Sequence, residues 1–321
     1  RRFLNAESSD EIVFTRSATE AINLVAASFG QAHIGEGDEI VLSIMEHHSN
    51  IVPWHFLRER KGAVLKWIEI DDDGHVDLDA FEKQLTDRTK IVAITHMSNV
   101  LGAPTPIADI VRIAHAHGVP VLVDGSQGAV HLDVDVRALD ADFYVFTGHK
   151  VYGPTGIGVL YGKKKWLESL PPFNGGGEMI EVVTRDRVTY NAPPHRFEAG
   201  TPPIVQAVGL GAALDYMDTV GRAAIRAHEA EMVALRRQIH AQPELAYEER
   251  ATADLVAERL ERWGWEVHRR LGGTGVVGTL RAAPGHGHRH GGCHPCRPGP
   301  QRDTGRGRVA RDGARLQAAG A

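Results

Sequence analysis

The sequence predicts an α/β fold of three layers over residues 1–230, with helices on both faces of a mostly parallel sheet. Three observations carry that prediction. Short apolar runs alternate with helix-like stretches from Glu11 to Tyr161, the rhythm of strands joined by crossover helices. Most runs are continuously apolar rather than alternating, as strands covered on both faces are. Two of them close on a polar group beside glycine, Asp124 before Gly125 and Thr147 before Gly148, and ligand sites of open α/β sheets collect at strand ends.

The elements follow in order. Glu11–Thr15 reads as a strand and Ala21–Phe29 as an apolar-periodic helix. Ser17 or Thr19 caps that helix, whose free N–H groups make either a phosphate seat or an ordinary capped end. Glu39–Ser43 is the next strand; His47 and His48 then precede a helix through Arg60. Strands are expected at Val64–Ile70 and Ile91–Met97, with a helix around Leu78–Leu85 between them and another at Ile107–His117. Val119–Val123 is a short buried strand ended by Asp124, and Asp142–Phe146 is another, ended by Thr147-Gly148-His149-Lys150. Gly153-Pro154-Thr155-Gly156 turns the chain into a further strand reaching Tyr161. The regular rhythm then stops until a helix near Ile204, and beyond it come a helix at Thr252–Trp263 and a strand at Gly275–Leu280.

Lys150 makes little sense as surface. It sits at a strand end in a glycine-bounded loop, and a lysine held off solvent loses its proton more readily and attacks carbonyls, that of pyridoxal phosphate among them. Asp124 also closes a strand, where a carboxylate can cap a helix or pair with the pyridinium nitrogen of the same cofactor. An aspartate and then a lysine, each ending a strand, is a rarer pattern than either alone.

These residues, with TRSATEAINLVA, EHHSNIVPW, THMSNVLG, VDGSQG, TGHKVYGPTGIGVLYG and RFEAGTP, make residues 1–230 resemble aminotransferase class V enzymes, and most closely the SufS-type cysteine desulfurases. The resemblance implies the fold type I large domain of the pyridoxal-phosphate enzymes. It also implies conversion of L-cysteine to L-alanine with sulfur left as an enzyme persulfide, for iron–sulfur cluster assembly. Lys150 would carry the cofactor, Asp124 would face its ring nitrogen, and His47 would stack on the ring and pass protons. Thr19, Thr147 and His149 would hold the phosphate, Asn99 and Gln127 the 3-hydroxyl. Thr201 would reach the phosphate of the other subunit of a homodimer, and a sulfur-acceptor protein is an expected partner. Selenocysteine lyase is the near alternative.

The resemblance breaks after about Glu231. A mobile cysteine loop and an arginine that clamps the substrate carboxylate have no counterpart there, so the activity of this chain is in question. Leu235–Leu280 instead resembles the opening of M20-family amidohydrolases and peptidases, giving a fragment over 231–281. The metal ligands of that family lie further along, and His240 and Glu244 are not among them. Residues 282–321 are rich in Arg, Gly, Pro and His, a composition that predicts disorder. Cys293-x-x-Cys296 beside histidines has zinc spacing, but nothing apolar surrounds it, and no metal is expected. A metallohydrolase fragment and a non-catalytic cofactor-binding fragment are the remaining alternatives.

Over all 321 residues, 42% hydrophobic and 24% charged content with a net charge of −5 describe an ordinary globular chain that offers no general attraction to nucleic acid or anionic membrane. No apolar run approaches a membrane span. The start, Arg1-Arg2-Phe3-Leu4-Asn5, lacks both a Met and a signal-peptide core, and the chain is read as a piece of a longer cytoplasmic protein.

Overall fold

A computed structural model describes residues 1–246 and 248–279. They fall into two compact units, Arg1–Arg236 and a second beginning at Arg237. The tail from Ala282, with its cysteines and histidines, lies outside the described residues.

In the first unit the chain runs β1 (Ile12–Thr15), α1 (Ala18–His33), β2 (Glu39–Ser43), α2 (Val52–Lys61), β3 (Val64–Ile68), α3 (Leu78–Gln84), β4 (Thr89–Thr95), α4 (Ile107–Ala116) and β5 (Val121–Asp124). Two short helices, α5 (Gly128–His131) and α6 (Val136–Leu139), lead to β6 (Phe143–Thr147) and β7 (Gly158–Gly162). The seven strands form one sheet in the order β1-β7-β6-β5-β4-β2-β3. β2 to β6 are parallel, while β7 runs antiparallel to both β6 and β1.

Successive side chains of a strand point to opposite faces, and here both faces are dry. Val41, Val92, Val121, Val123, Tyr144 and Phe146 join one core with Ile107, Ile110 and Val111 of α4. Ile40, Leu42, Ala93, Leu122, Phe143 and Val145 join the other with Ile22, Val25 and Phe29 of α1 and Trp54 of α2. That is why the strands read as unbroken apolar runs and why the three-layer expectation holds. The strand from Val64 stops at Ile68, and the one from Ile91 begins at Thr89 and ends at Thr95.

The helix expected from Ala21 starts at Ala18, because Ser17 is the cap: its hydroxyl accepts the Glu20 N–H at 3.1 Å. After Tyr161 the chain is less irregular than its sequence suggested. It forms α7 (Lys164–Ser169) and a hairpin of β8 (Ile180–Val183) and β9 (Val188–Tyr190). The hairpin is mostly exposed, so no buried face imposes a readable alternation. α8 (Ile204–Val220) begins where expected, and α9 (Arg222–Ala241) follows it. α9 went unread because within it only Ile225 is buried.

The second unit holds α10 (Arg250–Arg262) and an antiparallel pair, β10 (Glu266–Leu271) with β11 (Gly275–Thr279). α10 and β11 match expectation. β10 was missed because four charged or imidazole side chains occupy its six positions, EVHRRL.

A candidate cofactor site at the strand ends

Parallel registry places the carboxyl ends of β2, β4, β5 and β6 on one edge of the sheet. Thr95 is opposite Asp124. Thr147, the last residue of β6, is opposite Gly158, which faces Thr15 on its other side. Three loops therefore rise from this edge within reach of one another.

Gly158 lets the α1 end join them. A Cβ there would lie 2.3 Å from the Ser17 carbonyl carbon and 2.7 Å from the Ala18 nitrogen. Only a glycine allows the first turn of α1 to settle on the sheet beside Thr147. With Ser17 spent on Glu20, the Ala18 and Thr19 N–H groups precede the first intrahelical donor, the Ala21 N–H that bonds the Ser17 carbonyl, and so have no partner within the helix. They leave a partial positive charge at the mouth.

The cleft that results has about 480 Å³ of open space and is lined by Ser17, Ala18 and Thr19 on one side and by Thr147, His149 and Lys150 on another, with His47, Ser49, Asp124 and Ser126 completing it. Thr147 is buried and its hydroxyl lies 3.1 Å from His149 Nδ1. The Thr19 hydroxyl lies 2.8 Å from that of Ser49, which is 3.0 Å from His47 Nδ1. That nitrogen also accepts the Ser49 N–H at 3.1 Å, so in neutral His47 the proton belongs to Nε2.

Asp124 is 4% exposed, and its Oδ1 accepts the Ser126 N–H at 2.9 Å. This is a turn bond and not a helix cap, since α5 begins at Gly128 and its N-cap is Gln127, without a side-chain cap bond. The Asp124 turn rests on a buried pair, the Tyr144 hydroxyl and His96 Nδ1 at 3.0 Å. A Cβ on Gly125 would meet the Tyr144 ring at 2.1 Å, and one on Gly128 would meet His96 at 2.6 Å. Burial pushes the His96 imidazolium down to about 4 and the Tyr144 phenol well above its usual range, so both stay neutral beneath Asp124.

Six of the expected residues meet here: Thr19, His47, Asp124, Thr147, His149 and Lys150. Gln127 stands half-buried at the start of α5, and Asn99 is exposed in the turn after β4; neither lines the cleft. Thr201 lines a different hollow, with Phe14, Arg16, Glu20 and Glu198. Ser49 and Ser126 were missed. Their only sequence signal is adjacency, in EHHSN and VDGSQG, since serine in a loop is usually a turn former.

At one edge of the sheet, this three-layer α/β protein gathers an amine, a buried carboxylate, two imidazoles and an open helix end that suits an anion. The chain belongs to the aminotransferase class-V family, whose model matches residues 1–256. It is 54% identical over 233 residues to a cysteine desulfurase of Synechococcus elongatus, covering 73% of this chain and 37% of that protein. It is also 54% identical over 228 residues to a cysteine desulfurase of Dickeya dadantii, covering 71% and 55%. Among solved structures it is similar to the Escherichia coli cysteine desulfurase CsdA, with TM-score 0.73 and 35% identity over 83% of this chain and 70% of that one. The chain thus spans only about a third to a half of these two curated relatives.

Proposed function

We propose that Arg1–Arg236 is the pyridoxal-phosphate-binding part of a cysteine desulfurase, which takes sulfur from L-cysteine, releases L-alanine and leaves the sulfur as a protein persulfide. The observation that carries this reading is the convergence of Lys150, Asp124 and His47 on one cleft beside the α1 end, in a chain about half identical to named cysteine desulfurases.

The residues fit the cofactor. The Ala18 and Thr19 N–H groups, the Thr19 and Thr147 hydroxyls and His149 suit a phosphate. Asp124 supplies the negative charge that keeps a ring nitrogen protonated, and the bound cofactor supplies an electron sink. Lys150 supplies the amine that holds it. His47 keeps Nδ1 on Ser49, so Nε2 is where it would take up or release a proton. Asn99 and Gln127 remain the candidates for the 3-hydroxyl, which would require their loops to bend toward the cleft. Among the described residues no cysteine and no arginine lines the cleft, so this lining supplies neither the thiol that receives sulfur nor the cation that holds the cysteine carboxylate.

A homodimer is part of the proposal. Thr201 lies outside its own chain's cleft, and three residues on, Ile204, Val205 and Val208 are 61%, 80% and 70% exposed. Such an apolar row beside Thr201 suits a second copy. A sulfur-acceptor protein and a cytoplasmic setting go with the same reading; among the described residues no helix is long and apolar enough to cross a membrane.

The test is to titrate the chain with pyridoxal phosphate and then with L-cysteine, following the visible cofactor band and alanine release. A saturable band that cysteine perturbs supports the proposal, with little alanine formed by this chain alone. A chain that binds no cofactor, or whose band ignores cysteine, contradicts it.

A further inference from the structure

One buried carboxyl next to the cleft has no part in that chemistry. Glu46 precedes His47 in the loop after β2, yet its residue is only 7% exposed and no ion pair involves it among the described residues. Its bonds run to three separate elements. Ser43 Oγ, at the end of β2, lies 2.5 Å from Oε1, and the Thr95 N–H, at the end of β4, donates to the same oxygen at 2.9 Å. Asn50 Nδ2 donates to Oε2 at 2.6 Å. The orientation of Asn50 is settled in turn, because its Oδ1 accepts the indole N–H of fully buried Trp54 at 3.1 Å.

We infer that Glu46 is a positioning residue that holds the His47 loop against the end of β4, where Thr95 pairs with Asp124 of β5, and that the site requires a carboxyl there rather than an amide. The inference rests on the cofactor reading above. The requirement follows from donor counting. Thr95 donates from its backbone and cannot reverse, and Asn50 cannot flip without abandoning Trp54. Each oxygen of Glu46 therefore faces an N–H, and an amide would set its own NH₂ against one of them whichever way it turned. Loss of a buried partner is felt in full. Burial, together with the nearby Asp124 charge, pushes the Glu46 carboxyl up to about 8, but the two facing donors are the same in either protonation state.

The same counting names its own rescue. Asn50→Asp turns the opposing NH₂ into an acceptor while keeping an oxygen for Trp54, so Glu46→Gln with Asn50→Asp restores every bond, with donor and acceptor exchanged between positions 46 and 50 and the Thr95 and Trp54 donors unchanged.

The experiment measures the pyridoxal phosphate dissociation constant from the visible band for this chain, Glu46→Gln, the double exchange variant, His47→Ala, and Glu46→Gln combined with His47→Ala. Thermal melts report folding. Expected is a roughly tenfold weakening in Glu46→Gln, recovery in the exchange variant, and no further loss from Glu46→Gln once His47 is gone, the signature of coupled neighbours. Unchanged binding in Glu46→Gln overturns the inference. So does an equal loss with and without His47, which would mark general destabilisation. If Glu46→Gln does not fold, the exchange variant decides, and its failure to fold or to bind like the parent overturns the inference as well. A parent chain that melts cooperatively but takes up no cofactor refutes the functional proposal instead. The loop claim is then read from the melts, where the exchange variant must recover what Glu46→Gln loses.

Discussion

Gly158→Ala is the sharpest perturbation of how the cleft is built. The new methyl would meet three backbone atoms, the Ser17 carbonyl carbon and oxygen at 2.3 and 2.6 Å and the Ala18 nitrogen at 2.7 Å. None of these is the tip of a flexible side chain, so the first turn of α1 must lift by most of an ångström or the sheet must distort. Overpacking of this kind costs about 1–3 kcal/mol, and a backbone clash places it near the upper end. For a unit of this size each kcal/mol moves the melting temperature by about 2–4 °C, so a fall of roughly 6–12 °C is expected by differential scanning fluorimetry. The displaced N–H groups are also the phosphate seat, so pyridoxal phosphate affinity should fall by more than melting alone explains. Inorganic phosphate, which competes for the seat, should protect the parent better than the variant. A Gly158→Ala protein with an unchanged melting temperature and unchanged cofactor affinity would refute this account.

Gly211→Ala is the matching control: Gly211 lies inside α8, and a methyl group added there would meet nothing within 4 Å, so the change should stabilise by about 0.5–1 kcal/mol, and a loss would show that α8 is packed differently. Stability should also fall between pH 6.5 and 8. The Glu46 carboxyl is raised to about 8 in the folded state, so its contribution is complete below its unfolded value and is lost as pH rises through 8. His96 is depressed to about 4, so its contribution is present above 6.5 and is lost as pH falls toward 4; below 6.5 the two slopes oppose each other. Above 6.5 the Glu46 slope is opposed by that of the Arg1 amine, which burial holds below its ordinary value, and urea melts should show a net decline of up to about 2 kcal/mol by pH 8. A flat profile there would contradict the buried, unpaired setting of Glu46. Trp54→Phe, finally, removes the donor that orients Asn50 and should weaken cofactor binding in the same direction as Glu46→Gln; full affinity would break the proposed chain of contacts.

The layers of the fold were legible because its strands are buried on both faces, and a run such as Val121-Leu122-Val123 admits few other readings. Asp124 was legible for a related reason, since a charged side chain that ends such a run and is followed by a turn stands where the sheet opens; Lys150 was legible from the glycine-bounded turn that follows β6, three residues beyond Thr147. Ser49 and Ser126 were not, since nothing local separates a serine that links Thr19 to His47 from one that forms a turn. Glu46 was hidden more completely. Next to two histidines it reads as surface charge, and only the fold shows that Ser43, Asn50 and Thr95 close around it. The roles of Asn99 and Thr201 came from family resemblance rather than from their own surroundings, and these two residues lie away from the cleft in a single chain. The hairpin of β8 and β9 was lost because exposed strands carry no hydrophobic period.

If this cleft holds pyridoxal phosphate on Lys150, reduction will fix the cofactor to that side chain. The chain is saturated with pyridoxal phosphate, reduced with borohydride and mapped by peptide mass spectrometry. The account predicts a single dominant pyridoxyl adduct on Lys150, with loss of the visible band in Lys150→Ala. Labelling spread over exposed lysines such as Lys164 and Lys165, or a band that survives Lys150→Ala, would contradict it.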